Sequence, residues 1–278
     1  MEQEMDQILY HYTDYTSLDG IVNQRELRVN NVLNMNDAKE MDLFISGIFG
    51  ALKKRFSDIG NARMVLRLDE MQKDVQSRYF DLSAYAACFS EARDDAAQWE
   101  RYANRGKGVC ICFRRELLEK MTGDAITLRE VTYQSDMGDH PLVDRLFEIM
   151  QRKINLSNAM ELKKIVAEVC RNSAAYKHPS FASESEIRLV VMPFDMHNIQ
   201  IKPHYNVKRE RIKKYYPLDL NRMCRKASVD IEDLITELMV GPESTQSPQI
   251  LRDYLLDLGL KRMAANVSTS DCPLRSKI

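Results

Sequence analysis

Apolar and polar positions along the chain follow two periods, and the switches between them mark the elements. Ile8 to Tyr12 reads as a strand, and Thr16 to Val22 as a short helix behind a hydroxyl N-cap. Leu27 to Asn30 is a second short strand. The polar turn from Asn34 to Glu40 opens a helix whose Met41, Phe44, Ile45, Ile48, Leu52 and Phe56 keep close to a 3.6-residue spacing. A charged helix follows through the sixties and seventies. Tyr85 to Phe89 is a buried strand, Ser90 to Asp95 a polar turn and Ala96 to Tyr102 a helical piece. The Gly106-Lys-Gly108 turn leads into a second buried strand, Val109 to Phe113, and Ile126 to Tyr133 is a further one. Two helices fill about 142 to 175, with Leu162, Ile165, Val166 and Val169 on one face of the second. Ile187 to Met192 is a central strand, Glu237 to Gly241 another, Pro248 to Leu258 a helix and Arg262 to Val267 a last strand.

Strands and helices are interspersed without strict strand-helix-strand alternation. This predicts an α+β fold with mostly antiparallel pairing over a doubly wound parallel sheet. No repeat and no Pro/Gly/Ser-rich linker divides the 278 residues, so we expect a single domain over 1–278. It carries a helical insertion at about 140–177 and a basic segment at about 202–226. With 44% hydrophobic residues the chain can supply a sizeable core.

Forty basic residues against forty-one acidic ones give a formal charge of -1, so any affinity for nucleic acid must be local. No stretch approaches about 18 uninterrupted apolar residues and the N-terminus is acidic, so the expectation is a cytoplasmic protein with no membrane partner. The six cysteines form no C-x-x-C pair, and no metal is expected.

The phosphate loop, the G-x-G-x-x-G fingerprint, the G-x-S-x-G elbow and H-E-x-x-H are all missing. The informative polar groups lie at strand ends. In Phe181-Ala-Ser-Glu184-Ser-Glu186-Ile-Arg188, two carboxylates two apart lead into an apolar strand. In an extended chain they share a face, and their repulsion needs a cation, a ligand or solvent to relieve it. They are reaction-site candidates or solvated loop acids. His11, between Tyr10 and Tyr12 and before Thr13, is either a structural histidine or a donor beside a ring-binding tyrosine. After the Cys88-Phe-Ser90 strand end, Trp99 and Tyr102 share a helical face. The first reads as a core plug; the second is open. Between Lys202 and Lys226 nine bases face Glu210 and Asp219, a local charge of +7, with aromatic residues interleaved. Lys208, Arg209, Arg211, Lys213 and Lys214 are thus candidates for gripping a nucleic acid or a pyrophosphate, or form a solvated basic loop.

In order along nearly the whole chain, these segments resemble a bacterial family catalogued as domain of unknown function twenty-nine seventy-one. The resemblance rests on Leu9-Tyr-His-Tyr-Thr13, Met35-Asn-Asp37-Ala-Lys-Glu40, Cys88-Phe-Ser90 with Trp99 and Tyr102, and Lys107 to Phe113. It continues through Phe181 to Arg188, Val240-Gly-Pro242 and Ser270 to Arg275. Ala103 stands where a glycine is frequent and Leu274 where an aromatic is common.

That family is in turn distantly similar to ADP-ribosyltransferases, which implies a split β-sandwich of short strands with flanking and inserted helices. It also implies a histidine from the first strand, a serine or aromatic from a middle one and a glutamate from a later one. In this chain these are His11, then Ser90 or Tyr102, then Glu186. The implied reaction consumes NAD, cleaves the nicotinamide-ribose bond and transfers ADP-ribose to an unidentified protein or nucleic-acid acceptor. A toxin or phage-defence setting would go with it. The carboxylate of Glu186 would meet the oxocarbenium-like charge. His11 would hold a ribose or the amide, Tyr102 or Tyr12 would stack on nicotinamide, and Thr13 and Ser90 would line the site. Arg188 or the basic segment would meet the pyrophosphate, and Glu184 would orient the acceptor. Two competitors remain: a non-catalytic nucleotide-sensing or partner-binding module, and a metal-dependent nuclease using Asp37, Glu40, Glu184 and Glu186.

Overall fold

The computed structural model describes residues 7–34, 38–77, 84–123, 125–152, 159–192, 201–207 and 211–274. The polar turn at 35–37, with Asp37, and the basic residues Lys208 and Arg209 lie outside them, as do the side chain of Glu40 and the closing Arg275.

Ten strands form one hydrogen-bonded sheet: β1 (Ile8–Thr13), β2 (Glu26–Asn31), β3 (Tyr85–Ser90), β4 (Val109–Arg114), β5 (Ile126–Glu130), β6 (Glu186–Val191), β7 (His204–Val207), β8 (Ile212–Asp219), β9 (Ile235–Val240) and β10 (Val267–Thr269). One path runs β10-β9-β4-β1-β3-β2-β8-β7, and β5 and β6 branch from β3. Every pairing is antiparallel except β9 with β10. The α+β, mostly antiparallel expectation therefore holds, as a mixed open sheet.

The last strand is shorter and later than the sequence pattern suggests. Lys261–Ala265 is helical and only Val267–Thr269 pairs. Met263 and Ala264 point into the core beside Leu260, a burial that a helical turn achieves as well as a strand does.

The sheet splits at β3. Strand β6 pairs with β3 along its whole length, from Tyr85↔Val191 to Ser90↔Glu186, and occupies one edge. On the other edge β1 touches only the Ser90 end, through Tyr10↔Ser90, and β2 only the opposite end, through Asn30↔Ala86 and Asn31↔Tyr85. Between them the strands part and a cavity opens.

Alternation sorts the side chains between two faces. Leu9, Phe89, Ile111, Phe113, Ile187, Leu189 and Leu238 fill a core on one face, against α1 (Tyr15–Val22) and the C-terminal helices. The other face carries two clusters. Helices α2 (Ala38–Asp58) and α3 (Ala62–Ser77), with two helices at Pro141–Gln151 and Ala159–Ser173, pack over Ala86, Val190 and Met192. The short helix Ala96–Tyr102 brings Trp99 onto Tyr10, Tyr12, Cys110 and Cys112. Trp99 is fully buried, the core plug its spacing suggests.

Candidate functional site

Glu184 and Glu186 meet, but not in the extended geometry that their spacing suggests. Glu184 ends a 3-10 turn (Pro179–Glu184), and Ser185 sits in the left-handed region at φ 41° before β6 begins at Glu186. A non-glycine residue held there is strained. The kink aims both carboxylates at the same cation, Lys177.

Both acids are buried, Glu184 at 2% and Glu186 at 7% exposure, so they are not solvated loop acids. The ammonium of Lys177, itself 3% exposed, bonds to Glu184 and lies 3.3 Å from Oε2 of Glu186. Arg188 grips Glu186 with two parallel bonds of 2.9 Å, Nε to Oε1 and Nη2 to Oε2, and spends Nη1 on the Ala174 carbonyl at 2.9 Å. Glu184 also takes Arg101 Nη1 at 2.5 Å and the Tyr102 hydroxyl at 3.1 Å from each carboxylate oxygen. Three cations thus surround two carboxylates.

Burial pushes the Glu186 carboxyl upward. The charge and bonds of Arg188 and the charge of Lys177 outweigh it and hold the group at about 2. Burial likewise pushes Lys177 down, and the charges of Glu186 and Glu184 hold it above the ordinary lysine value. Burial raises the Tyr102 hydroxyl, which therefore stays a donor. Glu186 and Lys177 therefore keep their charges across the neutral range.

A cavity of about 410 Å³ lies in the split, within the size range of small-molecule sites. Its lining includes Glu184, Glu186, Arg188, Lys177 and Tyr102, His11, Tyr12 and Thr13, and Arg28 and Lys213. The structure therefore brings most of the expected residues around one space.

Their roles differ from residue to residue. His11 pairs with Ile111 across β1 and β4, so its ring turns to the Phe89 and Phe113 side, the face opposite Glu186. Its Nδ1 donates to the Cys88 carbonyl at 2.7 Å, beyond the one residue pair that joins β1 to β3. A carbonyl can only accept, so Nδ1 carries the proton. Burial lowers the His11 pKa, so the ring is neutral. Tyr12 is a pin: its hydroxyl donates to Ala92 O at 2.8 Å, accepts from Asp95 N at 3.2 Å, and its ring stands edge-on to Trp99. Ser90, 1% exposed, donates to the Glu184 carbonyl at 2.7 Å and fastens the kink to β3.

Of the basic candidates, Lys213 lines the cavity, Lys214 lies over the rings of Tyr85 and Tyr216, and Arg211 is exposed. Of the four acids of the nuclease reading, only Glu184 and Glu186 have described side chains, and Lys177 and Arg188 hold them. Among the described residues no group of three or more His, Cys, Asp or Glu could hold a metal ion.

Sequence reasoning missed Lys177 and Arg101. Arg101 sits beside Tyr102 in the Ala96–Tyr102 helix, and Lys177 in the loop before His178-Pro179, where no periodic pattern marks it.

Residues 98–189 match the family model described as "Protein of unknown function (DUF2971)", the family to which the sequence motifs point. The matched stretch holds Arg101, Tyr102, Lys177, Glu184, Glu186 and Arg188, the whole buried charge cluster. No curated protein and no solved structure matches the chain. Among the described residues no helix is long and apolar enough to cross a membrane.

Proposed function

We propose that the chain is an NAD-dependent ADP-ribosyltransferase that binds NAD in the cavity of the split sheet. The observation that carries this reading is Glu186, a carboxylate 7% exposed in the cavity wall whose pKa is held down to about 2 by Arg188 and Lys177. The C1′–nitrogen bond of NAD breaks with its electrons leaving on nicotinamide. The ribose is left cationic, an acceptor nucleophile bonds to C1′, and the acceptor's proton goes to solvent. A fixed anion beside C1′ stabilises that charge more than it does the ground state.

Strand order supports the reading. Ser90 faces Glu186 on one side and Tyr10, the neighbour of His11, on the other, so the three strands that the resemblance implies lie side by side. The geometry changes four roles. The His11 ring lies on the face opposite Glu186 and donates to the Cys88 carbonyl, and Tyr12 is pinned to Ala92 and Asp95, so neither takes the ribose or nicotinamide role that the resemblance implies. Arg188 is committed to Glu186, so the pyrophosphate falls to Arg28 and Lys213. Glu184 is locked to Lys177 and Arg101, so it shapes the wall around Glu186, and the protein or nucleic-acid acceptor approaches from the open side of the cavity.

The test is release of nicotinamide from NAD by the purified chain, with labelling of lysate components. Glu186→Gln should lower turnover by about two orders of magnitude or more while the protein stays folded. If the wild-type chain neither consumes NAD nor labels anything, the transferase reading fails.

One observation favours a second reading, a nucleotide-sensing module without turnover. Lys177, Arg188 and Arg101 already compensate both carboxylates, as a purely structural wall would require. It predicts stabilisation by nucleotide without nicotinamide release, about 2.7 kcal/mol at a hundredfold excess over Kd.

A further inference from the structure

The face of the sheet that carries the cavity continues across β2, β8 and β7. Residues two apart on a strand share a face, and so do partners across strands. Arg28 and Asn30 of β2, Lys213 and Tyr215 of β8, and His204 and Asn206 of β7 therefore lie together. Their neighbours Leu27, Val29, Tyr216 and Leu218 point the other way, into the core. Arg28, Asn30, Asn206 and Lys213 line the cavity. We propose that this wall holds an adenine nucleotide, with the base on its amides and the phosphates on Arg28 and Lys213. The proposal rests on the reading of the cavity as an NAD site and says where the adenosine half lies.

Unspent hydrogen-bonding capacity carries it, not bulk charge. Glu26, two residues before Arg28, stands on the same face and also lines the cavity, so the wall is not simply cationic. Among the described residues the Nε of Arg28 is buried without a hydrogen-bond partner, and its Nη2 makes one long bond, 3.4 Å to Gln24 Oε1. Buried donors are nearly always paired, and an orphan in a cavity wall calls for an acceptor. The side chains of Asn30, Asn206, His204 and Tyr215 likewise form no hydrogen bond among the described residues.

The donor set selects the base. A carboxamide offers an acceptor beside an NH2 donor, the complement of the N7 and N6 amino group of adenine. Guanine presents two acceptors at the same edge, and an amide meets only one of them. Tyr215 organises the wall around these amides. The Arg28 guanidinium lies 5.2 Å from its ring centroid, and the His204 ring crosses it at 73° with centroids 5.7 Å apart. Stacking leaves the edge donors of a guanidinium unspent, so Arg28 can still fork onto a phosphate. His204 is exposed at the end of the row and offers a ring on which a base can stack.

The experiment is calorimetric titration of the full chain with ADP and, separately, with GDP at constant ionic strength. We expect saturable ADP binding, with GDP weaker by about tenfold or more, and a similar loss of ADP affinity in both Asn30→Ala and Asn206→Ala. Arg28→Gln should weaken ADP and GDP alike. Asn206 lies on the edge strand β7, so its replacement leaves the fold intact even if Asn30→Ala does not. Absence of saturable ADP binding, equal affinity for ADP and GDP, or ADP binding unchanged in Asn206→Ala would overturn the proposal. So would tighter binding of a single-stranded oligonucleotide that ADP does not displace. Nicotinamide release plays no part in the readout. ADP binding with this variant pattern but no NAD turnover upholds the adenine subsite and sinks the transferase; NAD turnover without preference for ADP over GDP does the reverse.

Discussion

Lys177 and Glu184 form an ion pair in which both side chains are almost fully buried, at 3% and 2% exposure. Taking two such charges out of water costs several kcal/mol each, and their attraction offsets that only when further bonds satisfy the remaining atoms. Those bonds are present: Tyr102 and Arg101 on Glu184, and Glu186 beside Lys177. The arrangement holds the Ser185 kink and places the ionised Glu186 at the cavity.

Removing the ammonium should therefore be severe. Lys177→Met leaves Glu184 buried without its closest cation, and we expect a loss of about 3–5 kcal/mol in urea denaturation. Arg101→Ala removes a partner whose side chain is 43% exposed, and the loss should be about 1 kcal/mol or less. Equal effects of the two substitutions would contradict the burial argument.

Acid should weaken the fold in two steps. The folded-state pKa of Glu186 is depressed to about 2, so its contribution is full above the unfolded value and fades as pH falls from about 4.5 towards 2, on the order of 3 kcal/mol. His11 is also depressed by burial, so the unfolded chain takes up its proton first and stability begins to fall below about pH 6.5. Chemical denaturation across pH should show both slopes. Burial lowers the His140 pKa as well, so His11→Gln should shrink the upper slope without abolishing it, and Glu186→Gln should shrink the lower.

Much of this was legible in the sequence, and the reasons for the exceptions are physical. Apolar runs such as Tyr85–Phe89 and Val109–Phe113 have few alternatives to a buried strand, and the helix from Met41 to Phe56 follows its stripe. The acid pair stood out because two carboxylates beside an apolar strand demand compensation. What compensates them did not, because Lys177 is a single residue in a loop. Its burial depends on 84–90, 98–102 and 177–188 meeting in space. The split of the sheet is hidden for the same reason, since the partners of β3 are three strands from separate segments, β1, β2 and β6. The kink at Ser185 broke the period-2 argument with the right residues and the wrong backbone.

The glycines of the Lys107-Gly108 and Val240-Gly-Pro242 motifs have a close-approach role. A Cβ on Gly108 would lie 2.1 Å from the Thr13 carbonyl oxygen, and one on Gly241 would lie 2.3 Å from that of Gly106. Neither contact can be relieved by turning a side chain. Gly108→Ala should push the end of β1, with Thr13, away from β4 and cost about 3 kcal/mol or more. A melting temperature unchanged from wild type would show that the loop yields freely. A change confined to ligand binding would place the damage at Thr13 alone.

Asp94 ties the C-terminal segment to the Trp99 cluster. Its Oδ1 accepts from Trp99 Nε1 at 2.7 Å and from the Ser270 hydroxyl, and its Oδ2 accepts from Asp271 N at 2.9 Å. The Trp99 indole is fully buried, so Asp94→Ala strands an N–H without a partner and should cost about 1–3 kcal/mol. Asp94→Asn should fall between, because an amide keeps one accepting oxygen for Trp99 but presents an NH2 to the Asp271 amide. Trp99 is the only tryptophan, so its emission reports the site directly. We expect a red shift and faster proteolysis within 270–274, ordered Ala above Asn above wild type. If proteolysis rises while the emission stays fixed, the docking is independent of the indole bond, and Asp94 holds the segment through Ser270 and Asp271 alone.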